Sequence, residues 1–157
     1  KGIQPPVFFE TISKRYLIHQ KYKDFNETFK NELFQTLEDY SLPNTQFVHG
    51  DITEDNIIVK APNHLYLIDF ADSAIGPISY EYPPIVYGLF DMDKAAFKGF
   101  IQNEPIDNHL ERLYEGTILH EYGGDFIKLF LKRINKSLKT LNHLADFKQL
   151  LFQAYKK

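Results

Sequence analysis

The sequence has no cysteine and no tryptophan, a single methionine, no surplus of positive charge and no long apolar run. Without cysteine there is neither a disulfide framework nor a thiolate metal site, which fits a reducing, cytoplasmic setting. A formal net charge of -3, from 18 Lys and Arg against 21 Asp and Glu, argues against nucleic acid as the main partner, because binding a phosphate backbone rests on clustered cations. No stretch approaches the ~20 apolar residues of a membrane span, and none near the start has the form of a signal peptide, so the expectation is a soluble chain with no membrane partner. The sequence opens on Lys1 rather than Met, the mark of a fragment, a processed chain or a trimmed one.

What is present is an ordinary globular balance, 43% hydrophobic and 25% charged over 157 residues, enough for one domain or one lobe of a larger one. Phe and Tyr, 14 and 10 of them, make the interior aromatic. Pro5-Pro6 and the apolar cluster after them read as an extended lead-in over 1–23. From Asp24, the residues Phe25, Phe29, Leu33, Phe34, Leu37 and Tyr40 recur at three- and four-residue steps, which predicts an amphipathic helix ending near Ser41-Leu42-Pro43. The runs "TQFVH", "NIIVK" and "LYLIDF" read as strands, the last two as a hairpin through "APNH". The segment "ADSAIGPISYEYPP" reads as a long loop. From about Ile85 the pattern predicts four helices, with breaks at Asn103–Pro105, at Gly123–Asp125 and near Thr140.

Chemistry is suggested by "FVHGDITEDNIIV" taken with the hairpin. Pairs that sum to 125 across the expected turn set Lys60 against Leu65 and Asn56 against Asp69, and opposed residues of an antiparallel pair share one face. An amide oxygen and a carboxylate would then converge beside the loop that carries Asp51. Mg2+ prefers oxygen ligands and takes only one or two from protein at nucleotide sites, a role Asn56 and Asp69 fit. A separate carboxylate, Asp51, would accept a proton from an attacking hydroxyl. Each residue alone has a plainer reading, Asp51 and Asp69 as turn caps and Asn56 as a strand-entry residue. It is the joint occurrence of the three that favours function. His49 reads as a loop lock rather than a metal ligand, placed on the cofactor side with Asn56 and Asp69. His19, His64, His109, His120 and His143 read as scattered surface or core residues.

The stretches "VHGDITEDNIIV" and "LIDFADSAIGPISYEY" resemble the catalytic and metal loops of aminoglycoside phosphotransferase-like kinases, usually His-Gly-Asp-x-x-x-x-Asn and Ile-Asp-Phe-Gly-Asp, then Gly-Asp-Pro-x-Tyr-Asp. The resemblance implies an α+β fold, the mostly helical carboxyl-terminal lobe of a protein-kinase-like domain with a small β-hairpin carrying the catalytic loops, over residues 24–157. It implies Asp51 as catalytic base, Asn56 and Asp69 as Mg2+ ligands, Asp72 as a further acid near the metal or substrate, and ATP with Mg2+ as cofactors for a small-molecule hydroxyl substrate. "YEYPPIVYGLFDMDKAAFKGFI" further resembles the kinase-like domains beside some JmjC-type oxygenases.

Three positions depart from the pattern: Ala71 where Gly is common, Pro77 for the Asp after Gly76, and Glu81 for the Asp after Tyr80, Glu81 still being able to accept hydrogen bonds. Gly2 and Gly50 are the only glycines before Asp51, and Lys14, Lys21, Lys23 and Lys30 lie in or near helical sequence. The amino-terminal ATP lobe of the kinase-like fold, with its Gly-rich loop and strand lysine, is therefore expected as a missing partner that the full-length protein supplies. The alternative is a non-catalytic kinase-like module that binds or regulates a partner. Glu111, Glu115, Glu121 and Asp125 read as a solvated helical face, or as an attractor for a cationic substrate.

Overall fold

The computed structural model describes residues 20–41, 45–62 and 64–156. The Pro5-Pro6 lead-in and the Leu42-Pro43 helix end lie outside these. The lead-in's described end, residues 20–23, already contributes to the core, since Tyr22 is fully buried and its ring meets Phe25 at 4.9 Å. Helix α1 spans Glu27–Glu38, starting later than Asp24 because Asn26 caps it, its side chain accepting the Thr28 N–H at 2.8 Å. Its buried residues Phe29, Leu33 and Leu37 follow the four-residue step that the sequence shows.

Two small antiparallel sheets follow. Strand β1 (Gln46–Val48) pairs with β4 (Ala74–Gly76), and β2 (Ile57–Ala61) pairs with β3 (His64–Leu67). The expected long loop from Ala71 is thus partly ordered. It supplies β4 and a 3-10 turn at Ile78–Glu81, while the stretch expected to be helical from Ile85 begins as a π-helical turn at Pro84–Leu89 and resumes as an α-helix only at Lys94. A three-residue strand is too short to show a period of two, and its partner lies far away in sequence, so local pattern cannot reveal it.

The hairpin corrects the expected register. Ala61 pairs with His64, summing to 125, but Val59 pairs with Leu65, Ile58 with Tyr66 and Ile57 with Leu67, all summing to 124. The irregularity at Lys60 adds one residue to β2, a bulge that shifts every pair beyond it. Asn56 accordingly faces Ile68, whose N–H donates to the Asn56 carbonyl at 3.0 Å, and Asp69 lies one residue further on.

The four expected later helices are α2 (Lys94–Ile101), α3 (Ile106–Leu119), α4 (Gly123–Arg133) and α5 (Leu144–Lys156). Gly123 and Gly124 open α4 rather than break a helix; the break is at His120–Tyr122. A Cβ on Gly123 would lie 2.1 Å from the Thr117 carbonyl, so glycine is there for close approach. Leu110 and Leu113 of α3, Ile127 and Phe130 of α4, and Phe147 and Leu151 of α5 close the core with α1. Glu32 of α1 ties α5 down, accepting from the Leu144 N–H at 2.8 Å and pairing with His143 Nδ1 at 2.7 Å. Among the described residues no helix is long and apolar enough to cross a membrane.

The packing of α3 positions the site. Gly116 lies so close to the 3-10 turn that a Cβ would sit 1.8 Å from the Ser79 carbonyl, and that turn carries Glu81 into the interior.

Candidate functional site

The loop after β1 turns on Gly50, whose φ of +83° suits glycine, and a Cβ there would lie 2.7 Å from the Asp72 carbonyl. Glu81 holds this turn. Its buried carboxylate accepts from the His49 N–H through Oε1 and from the Gly50 N–H through Oε2 at 3.1 Å. The acid expected after Tyr80 is thus present one methylene longer, and it spans two consecutive peptide amides.

His49 is buried, and both of its ring nitrogens are engaged within the chain. Nδ1 accepts the Asp51 N–H at 3.3 Å, so the proton is on Nε2, which donates to the Ile68 carbonyl at 2.9 Å. Its ring also packs on Phe70 at 4.6 Å. His49 therefore fastens the Asp51 loop to the end of the hairpin.

Asn56 sits in a short 3-10 turn, Glu54–Asn56, and is buried. Its Nδ2 donates to the Asp51 carbonyl at 2.9 Å and to Asp51 Oδ2 at 2.8 Å. Both contacts are with oxygen acceptors, which fixes the amide orientation and leaves Asn56 Oδ1 without a hydrogen bond among the described residues. Asp51 is half-buried, with one carboxylate oxygen tied to Asn56 and the other open.

Asp69 is exposed and has a left-handed φ of 58°, so its side chain does not follow the strand alternation, and the one-residue slip does not decide its direction. Its Oδ1 accepts the Ala71 N–H at 3.3 Å, and Ser73 closes the loop on the Phe70 carbonyl at 2.7 Å. Asp72 is exposed and without an ion pair among the described residues. Asp51 and Asp72 join Glu121 and Asp125 in raising the pKa of the Tyr122 phenol, Glu121 contributing most, so negative charge gathers here. Glu111 instead pairs with Lys148 at 2.7 Å, and Glu115 accepts from the Tyr40 hydroxyl. Lys21 lies 3.2 Å from Asp125 and 3.5 Å from the Tyr122 ring centroid.

His120 is the site residue that sequence reading missed. It reaches the Gly50 carbonyl with Nε2 at 3.3 Å from 70 residues further along the chain, and nothing in its spacing signals this. Among the described residues no group of three or more His, Asp or Glu could hold a metal ion. The expected donors are instead an amide and one or two carboxylates, all oxygen. Such a set suits a hard cation whose other ligands are phosphate and water, and the open Asn56 Oδ1 agrees with it.

No curated protein and no solved structure matches the chain, so the narrower likeness to JmjC-associated domains rests on the sequence alone. The family model APH, described as the phosphotransferase enzyme family, matches residues 7–102, more than half of the sequence and the loops that carry Asp51, Asn56, Asp69 and Glu81, but not His120. On that match, with the His-Gly-Asp turn and the Asn56–Asp51 link in place, the chain belongs to the phosphotransferase enzyme family.

Proposed function

We propose that this chain is the catalytic lobe of an ATP-dependent phosphotransferase that phosphorylates a hydroxyl of a small molecule, Asp51 being the base. The observation that carries this reading is the double hydrogen bond from Asn56 Nδ2 to the carbonyl and carboxylate of Asp51. It locks one oxygen of Asp51 and leaves the other to take the proton of the acceptor hydroxyl. The freed oxygen attacks the γ-phosphorus, the bond from phosphorus to the β-bridging oxygen breaks, and ADP leaves with a phosphate monoester as product.

Asn56 Oδ1 and Asp69, with Asp72 as a further acid, would hold Mg2+. The bound ion would neutralise charge on the phosphates. His49 acts on the cofactor side by fixing the loop and not by contact, since both its ring nitrogens are spent. The hairpin offers apolar surface next to these groups. Ile58 and Tyr66, directly paired across it, and Ile68 beyond them are all exposed, as a planar base under a second, amino-terminal lobe would require.

A second reading, a non-catalytic module, is favoured by the opposite face of the same hairpin, where Val59, Leu65 and Leu67 are also exposed and suit another polypeptide. Asp51→Asn in the full-length protein separates the two. The catalytic reading expects phosphotransfer to fall by about 10²–10⁴-fold while the fold persists, and an unchanged rate would leave only the module.

A further inference from the structure

The peptide unit that leads into Asp51 is gripped at both ends by imidazoles. Its N–H, on Asp51, donates to His49 Nδ1 at 3.3 Å, and its carbonyl, on Gly50, faces His120 Nε2 at 3.3 Å. His120 comes from far along the chain, at the carboxyl-terminal cap of α3, where its own N–H still bonds to the Gly116 carbonyl at 2.9 Å. Its Nδ1 accepts the Tyr122 N–H at 3.2 Å, which puts the ring proton on Nε2 and makes that atom the donor to Gly50. Burial, and secondarily the Lys21 charge, push its pKa down to about 4 against the pull of the Gly50 carbonyl, so the ring stays neutral and the tautomer stays set. The ring is also packed in place, stacked on Tyr80 at 4.4 Å and edge-on to Phe126 at 5.1 Å.

The geometry points to His120 as a positioning residue for Asp51. By holding the Gly50 carbonyl it fixes the plane of the Gly50–Asp51 peptide, and with it the direction in which the Asp51 carboxylate leaves the loop. The inference rests on the reading of Asp51 as the base. Glu81 secures the amides on the upstream side of Gly50, so without His120 the turn keeps its anchor but the following peptide can rotate. Because the holding groups come from α3 and from the turn it packs against, the aim of the base depends on elements far from it in sequence.

Two variants separate positioning from mere filling of space. His120→Phe keeps a ring on Tyr80 but loses the donor, while His120→Gln keeps an N–H donor of similar reach. Amide hydrogen exchange is followed in the full-length protein at Asp51, and at Phe147 and Leu151 in the α5 core. His120→Phe is expected to speed exchange at Asp51 about tenfold, the loss of roughly one net hydrogen bond, with α5 unchanged and His120→Gln close to wild type. In ATP turnover with the acceptor, kcat is expected to fall about 10- to 100-fold in His120→Phe at unchanged KM, and to recover in His120→Gln. Equal acceleration in the loop and in α5, or a kcat loss that His120→Gln does not recover, overturns the inference. A wild-type protein with no ATP turnover defeats the phosphotransferase reading alone, and the exchange comparison then decides for or against His120.

Discussion

Glu81 concentrates the logic of the site in one side chain. Its carboxylate is buried and is satisfied by two peptide N–H groups rather than by a cation. Glu81→Gln keeps the shape but sets an NH2 group against one of those amides, leaving a buried donor unpaired. The expected loss is about 1–3 kcal/mol of stability, read as a lower urea midpoint at unchanged slope. At this scale the sequence was informative about residue types and silent about partners. Asp51, Asn56 and Asp69 stand out by their spacing, and Glu81 by its place after Tyr80. That Glu81 reaches His49 and Gly50, or that His120 reaches Gly50, depends on contacts across the fold that no local pattern encodes.

Among the elements, the helices were legible because their apolar residues repeat over several turns, as in Phe29, Leu33 and Leu37. The hairpin was legible as a hairpin, but its register depends on the bulge at Lys60, where one unpaired residue in β2 moves Asn56 from Asp69 to Ile68. Bulges leave no mark in hydropathy, and β4 was lost inside a loop for the related reason that its pairing is non-local. The close approach of α3 to the Ile78–Glu81 turn at Gly116 is open to a direct test. Gly116→Ala forces a Cβ to within 1.8 Å of the Ser79 carbonyl, between α3 and the turn that carries Glu81. The loss expected is about 1–3 kcal/mol, with a fall in Tm of roughly 2–4 °C for each kcal/mol. Gly99→Ala on α2, where a Cβ meets nothing within 4 Å, is the control, and it should stabilise by about 0.5–1 kcal/mol. Thermal melts of the two variants should therefore move in opposite directions.

For the whole molecule, the aromatic interior anticipated from Phe and Tyr content is realised in contacts such as Phe130 with Phe147 at 5.9 Å, while the loops that carry chemistry lie over it. This arrangement gives the fold a pH dependence through His120. Its folded pKa, about 4, is below the ordinary 6.5, so the unfolded chain takes up a proton that the native state refuses. The His120 contribution should decline as pH falls from about 6.5 towards 4 and level off below, by about 3 kcal/mol in all, and this part of the decline should vanish in His120→Gln. Glu32 and Asp146, held below their usual values by hydrogen bonds from His143 and its neighbours, titrate beneath most of that window. Exposed His143, raised by its Glu32 partner, loses its contribution as pH rises rather than as it falls. Chemical denaturation at pH 7.5, 5.5 and 4.5 reads the slope.

Fold and chemistry meet in the Asp51–Asn56 link, which aims the proposed base. The most direct test is phosphotransfer from ATP by the full-length protein, wild type against Asp51→Asn, with unfolding midpoints measured on the same samples. With Asp51 as the base, the rate should be about 10²–10⁴-fold lower in the variant at nearly unchanged stability. Equal rates in the two proteins would contradict that role.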